Sequence, residues 1–224
     1  MFSVSLRQLV AATIAFTSLS AAAQDRPAAA VTPTTPATSA AVSKGLHFVA
    51  NAGFSFGGDT IAIAQYTDGS DQRIKAGGML EFGGGVIYEA SDLPLAAQLT
   101  ANYHVNDTDA NNGTMRFHRF PIEATLFYTG VEQWRFGIGA RSVQSPRYVS
   151  QIKGAVSETL EFDNTTGAIA EVGYAISPKL WVNFRYVSEK YNANKYTVGS
   201  RSVSVRSIAP VKGDHVAISA SYQF

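Results

Sequence analysis

The chain has 224 residues, no cysteine, 16% charged and 11% aromatic residues, and a mean hydropathy of zero. The missing thiol excludes disulfides, thiolate metal sites and cysteine nucleophiles, and a formal charge of +1 argues against a binder that works by neutralising phosphates. After position 20 no run of 18 apolar residues occurs, so no helix spans a membrane, yet the chain is more apolar and aromatic than its charge content suggests.

The N-terminus predicts export. Met1–Gln8 carries a single charge, Arg7, followed by an apolar stretch over Leu9–Thr17 and the small residues Ala21, Ala22 and Ala23. This is the pattern of a secretory signal peptide over 1–23, cut after Ala23. Removing it brings the chain to net zero. An exported chain without cysteine fits the envelope of a Gram-negative bacterium. Residues 24–44 are rich in Ala, Thr and Pro (Pro27, Pro33, Pro36) and read as a periplasmic tether. No motif in it indicates peptidoglycan contact.

From Gly45 the apolar residues recur at period two. In chain order the apolar faces are Leu46, Phe48, Ala50, Ala52, Phe54 and Phe56; Leu80, Phe82, Gly84, Val86 and Tyr88; Leu95, Ala97, Leu99, Ala101 and Tyr103; and Phe120, Ile122, Ala124, Leu126 and Tyr128. Then come Trp134, Phe136, Ile138 and Ala140; Ala168, Ala170, Val172 and Tyr174; Leu180, Val182, Phe184 and Tyr186; and Val216, Ile218, Ala220, Tyr222 and Phe224. These are eight predicted strands. Ala90–Pro94, Gly130–Gln133 and Ile176–Lys179 read as tight turns. Gly57–Ala76, Asn106–Met115, Ser145–Leu160 and Glu189–Lys212 read as longer polar loops. Tight turns at one end and long loops at the other predict an all-β fold. It is an eight-stranded antiparallel up-and-down transmembrane β-barrel over 45–224, with short periplasmic turns and long extracellular loops.

A soluble barrel of the lipocalin kind has the same alternation with its apolar face inside. Three features favour the inverted arrangement. Aromatics of the apolar face gather near strand ends, with Tyr88, Tyr128, Trp134, Tyr174, Tyr222 and Phe224 at the turn end. Phe54, Phe56, Tyr103, Phe120, Phe162 and Tyr186 lie towards the loop end. Two belts suit two membrane interfaces. The other face is rich in Gly, Ser and Asn and carries isolated Glu and Arg but no mid-strand Lys, unlike a solvated surface. The chain also ends on an aromatic strand.

That last strand, Val216-Ala217-Ile218-Ser219-Ala220-Ser221-Tyr222-Gln223-Phe224, resembles the C-terminal signal of outer-membrane proteins, with Tyr222 and Phe224 as its aromatic positions. The resemblance implies recognition by the barrel assembly machinery. The stretch Val172-Gly173-Tyr174-Ala175-Ile176-Ser177-Pro178-Lys179-Leu180 is similar to a hairpin of OmpA-like and opacity-type small barrels. In topology the resemblance covers Gly45–Phe224. No peptidoglycan-binding domain follows the barrel, so that part of the OmpA role is not expected.

The inward face predicts a lumen network of Glu81, Glu123, Glu171, Arg119, Arg135, Arg141 and Arg185. A turn centred on Glu132 sets Glu123 opposite Arg141, and one centred on Pro178 sets Glu171 opposite Arg185. Glu81 falls near Asn102 or His104. Facing residues share one side of a sheet, an eight-stranded barrel has room only for side chains, and buried carboxylates need partners such as arginine. The expectation is a lumen plugged by Glu and Arg, the competing one a narrow pore for small solutes or ions.

Lipid A-modifying enzymes also use eight-stranded barrels and need a nucleophile and base on the outer face. His47, His104 and His215 point inward by parity, and His118, outward, has no evident partner, so no catalytic residues are expected. Asp107–Gly113 has the Asp and Asn of a calcium loop, but its sixth and twelfth positions are Asn112 and His118, which favours an ordinary polar turn. No metal or cofactor is expected. The last loop sets Lys190, Lys195, Arg201, Arg206 and Lys212 against one acid, Glu189, and offers contacts to lipopolysaccharide. The expected role is a monomeric, non-enzymatic outer-membrane barrel supporting envelope integrity and surface contacts. Its expected partners are outer-membrane lipids, lipopolysaccharide and the assembly machinery.

Overall fold

A computed structural model describes residues 44–66, 69–110 and 112–224. The signal peptide, the tether up to residue 43 and Asn111 lie outside the described residues.

Eight strands form the barrel: β1 (Gly45–Gly57), β2 (Met79–Glu89), β3 (Leu95–Ala110), β4 (Gly113–Val131), β5 (Trp134–Ile152), β6 (Thr165–Ala175), β7 (Leu180–Ser188) and β8 (His215–Gln223). Each pairs antiparallel with its neighbour in sequence, and β1 pairs with β8, so the sheet closes without a free edge. The chain is a closed, eight-stranded, up-and-down antiparallel barrel.

Register follows from the alternation. Gly53 faces Glu81 across β1–β2, and Glu81 faces His104 across β2–β3. Glu123 faces Arg141 across β4–β5, and Glu171 faces Arg185 across β6–β7. A slip of one residue would turn every apolar side chain inward. The three tight turns stand where the sequence places them. The first is closed by Ala90 N–H donating to Leu95 O at 3.0 Å, and the third by Ile176 N–H donating to Leu180 O at 2.9 Å.

The other end differs from expectation. Asn106–Met115 is not a loop, because β3 and β4 stay paired to Ala110↔Gly113. β4 and β5 run 19 residues each, and their outer halves form a ribbon beyond the barrel. Glu158–Phe162, Ala193–Val198 and Arg201–Ser204 extend its sheet. A separate hairpin, Thr60–Gln65 with Asp71–Lys75, folds from the first connection.

The lumen is layered. Near the turn end Val49, Ile87, Ala96 and Phe127 form an inward apolar cluster, with Trp181 also buried. Near the outer mouth Ile74, Ala76, Phe117, Val143, Tyr148, Phe162, Tyr191 and Ala193 form a second. The inner face is therefore not polar throughout. Phe162 belongs to this buried cluster, which corrects its expected place in the outer aromatic belt.

Candidate functional site: the charged middle of the lumen

Between the two apolar layers lie four arginines and four glutamates, all buried: Arg119, Arg135, Arg141 and Arg185 with Glu81, Glu123, Glu171 and Glu189. Closure brings them together, since the inward parity of five strands, and of the residues just past β7, aims these side chains at one axis.

Arg185 of β7 is the hub. Its Nε donates to Glu171 Oε2 at 3.0 Å, Nη1 to Glu81 Oε1 at 3.3 Å and Nη2 to Glu123 Oε2 at 3.0 Å. One planar guanidinium with five N–H groups donates to three carboxylates from β6, β2 and β4. Arg141 of β5 places its Nε 3.5 Å from Glu123 Oε1 and 3.3 Å from Glu189 Oε2, and its Nη1 4.0 Å from Glu81 Oε2.

Arg119 of β4 donates from Nη2 to His104 Nε2 at 3.1 Å and lies over the Phe117 ring at 5.0 Å. A guanidinium can only donate, so His104 accepts at Nε2, and its Nδ1, 3.2 Å from Glu81 Oε2, holds the proton. Arg135 is set apart. It lies between the Phe127 and Trp181 rings, 4.4 and 4.6 Å from their centroids, and donates to Asn183 Oδ1 at 2.7 Å and Ser221 Oγ at 3.0 Å. Glu171 Oε1 is 3.7 Å from it. Aromatic faces do for Arg135 part of what carboxylates do for the others.

Glu189 is not the solvated loop acid that its place in the sequence suggests, because its side chain is buried. It lies between Arg119 and Arg141 at the outer end of the network. A signal for it existed, since Arg185, Val187, Glu189 and Tyr191 continue the inward parity of β7.

Glu81, His104 and His215 bring potential metal-ligand atoms within 4.8 Å of one another. The guanidiniums already occupy this space. His104 Nε2 accepts from Arg119, and His215 Nε2 lies 3.4 Å from Arg141 Nη1 while its Nδ1 donates to Gly213 O at 2.7 Å. The donor set fits a hydrogen-bonded ion network better than a cation.

On the outer face His118 packs beside Tyr103 and Phe120, each 6.2 Å between centroids. Asp107 and Asp109 lie on a paired strand, with Asp107 held by Arg116 at 3.2 Å, rather than wrapped around a common centre as in a calcium loop. Tyr222 and Phe224 project outward with rings 5.1 Å apart, and Phe224 N–H donates to Phe48 O at 3.0 Å.

No protein-family model matches the sequence, and no curated protein matches it. Among solved structures it is similar to Neisserial surface protein A (NspA), with 13% identity and a TM-score of 0.47 over 81% of this chain and 98% of that one. It is also similar to the outer membrane protein AlkL in lipid bilayers, with 17% identity and a TM-score of 0.46 over 87% and 97%. The outer membrane channel DcaP of Acinetobacter baumannii gives 9% identity and a TM-score of 0.23 over 80% and 96%. The barrel assignment rests on the strand pairing of this chain itself.

Proposed function

We propose that this chain is a non-enzymatic outer-membrane barrel of a Gram-negative bacterium, closed to solutes, which supports the envelope and offers its outer ribbon for surface contacts. The observation that carries this reading is the inversion of polarity. Large apolar side chains point outward all round the barrel, with Phe48 69% and Ile138 70% exposed, while the lumen glutamates and arginines are buried. In water so wide an apolar surface would aggregate. In lipid it is solvated, and closure of the sheet gives every barrel strand a hydrogen-bonded neighbour on both sides.

Two outward girdles support the same orientation. Tyr88, Tyr128, Trp134, Tyr174, Tyr222 and Phe224 are exposed at the turn end, and Phe54, Phe56, Phe120 and Tyr186 towards the other. β7 and β8 have nine residues each and β2 and β6 eleven, matching the ~9–11 a tilted strand needs to cross a bilayer. The lengths of β4 and β5 leave the excess outside, on the ribbon side.

On this reading the barrel is a monomer. Outer-membrane lipids and lipopolysaccharide are its surroundings, and Tyr222 and Phe224 are what the assembly machinery reads. The resemblance to OmpA-like and opacity-type barrels fits this role. The test is fractionation of expressing cells with trypsin added outside. The protein is expected in the outer-membrane fraction, running faster on gels unheated than heated, and cut from outside only on the ribbon side. Recovery from the soluble periplasm would overturn the reading.

A further inference from the structure

Glu189 lies one residue past β7, at the start of the connection to β8, and its side chain is fully buried. Its carboxylate lies 3.3 Å from Arg141 Nε, 3.9 Å from Arg119 Nε and 3.8 Å from His215 Nδ1, and it accepts the Tyr191 hydroxyl. The backbone is held too. Glu189 N–H donates to Asp214 Oδ1 at 2.9 Å, and Glu189 O accepts from Gly213 N–H at 2.9 Å. Two glycines make room. A Cβ at Gly213 would come 2.8 Å from Glu189 Cγ, and one at Gly167 3.0 Å from its Cβ. Tyr191 then wedges against Phe117 and Phe162, at 5.6 and 6.0 Å between centroids.

The cations and the anion have different mountings. Arg119 and Arg141 project from barrel strands. Glu189 belongs to a connection, so the cradle is fixed in the wall and its occupant is carried by a segment outside the barrel strands. Nη1 of Arg119 and Nη2 of Arg141 make no hydrogen bond among the described residues, so the cradle has donors that one carboxylate does not use.

We infer that Arg119 and Arg141 form an anion site at the outer end of the charged network, sized for a carboxylate, and that Glu189 is its built-in occupant, latching the two paired ends of the β7–β8 connection, residues 189–191 and 211–214, as a lid above it. This rests on the closed-lumen reading and adds how the outer end is held shut. Lys190 and Lys212, exposed and facing each other in register, report on the lid as trypsin sites.

The test uses the folded full barrel in phosphatidylcholine vesicles. Glu189→Ala is expected to speed cleavage at Lys190 and Lys212 at least about tenfold, because two buried cations lose their partner. Formate is expected to restore resistance by refilling the cradle, and chloride at the same ionic strength is not. Glu189→Gln is expected to be cut faster and not rescued, since its side chain still fills the space. Glu161→Gln, outside the lumen, is expected to match the wild type. A folded Glu189→Ala barrel as resistant as wild type would overturn the latch, and rescue by chloride equal to that by formate would overturn the anion site. If Glu189→Ala does not fold, Tyr191→Phe removes only the hydroxyl on Glu189. It is expected to be cut faster than wild type, and an unchanged rate overturns the latch. Conductance of the wild type tests the closed lumen separately, so the two failures are distinguishable.

Discussion

Arg185 reaches three carboxylates with one guanidinium, whereas Arg135 lies within 4 Å of one, and this difference sets the cost of removing each. Arg185→Leu removes the hydrogen-bonding cation of Glu81, Glu123 and Glu171 and leaves three buried carboxylates to Arg141 and Arg135 at 3.5–4.0 Å, a loss of about 3–5 kcal/mol. Arg135→Met keeps a long side chain between Phe127 and Trp181. Asn183 still donates to Ser221 at 3.1 Å, and Glu171 keeps Arg185, so the expected loss is about 1–3 kcal/mol. Urea unfolding in vesicles, followed by tryptophan fluorescence, measures both, and the reverse order would contradict the network. The Glu123–Arg141 and Glu171–Arg185 pairings were legible in the sequence because turn symmetry fixes which residues face each other. The contacts of Arg185 with Glu81 and Glu123 were not, because they cross the lumen between strands that are not neighbours.

At the scale of elements, the sequence shows each strand inside the barrel and loses them outside it, for a definite reason. Period two survives only while a strand is unbroken. Ser145, with a positive φ of 49°, marks a register shift between β4 and β5, which flips parity and carries Tyr148 inside. The break between Phe162 and Thr165 flips it again, so Phe162 faces the core although its number suggests the outer face. In the ribbon Asp, Asn and Thr replace the apolar residues, and pairing continues without a pattern to announce it. Glu161 shows what holds this outer sheet. It accepts from Arg147 at 3.1 Å and lies 2.8 Å from Lys195 across two strand pairs. Its hydrogen bond to Lys195, with the Arg147 charge, holds its carboxyl below the ordinary value of 4.5. A depressed carboxylate stabilises above its unfolded pKa, and that stabilisation is lost as pH falls through the folded one. The site is partly solvated, so the effect is small. Hydrogen-exchange protection, taken relative to the intrinsic rate at each pH, is expected to fall in Glu158–Phe162 and Ala193–Val198 below about pH 4.5, with the protection of barrel amides unchanged. Equal change in both would contradict a local role for Glu161.

For the whole molecule, the apolar and aromatic excess of a chain with no spanning helix among its described residues is resolved by closure. The apolar residues are spread over alternate positions of eight strands and face outward, and the four arginines and four glutamates cancel inside. An eight-stranded barrel has room for little besides its own side chains, and here two apolar layers close both ends of the charged middle. The central claim is that this lumen is closed, and single-barrel conductance in planar bilayers tests it most directly. The wild type is expected to show no steady current above the bare membrane, and a sustained open conductance would contradict the account.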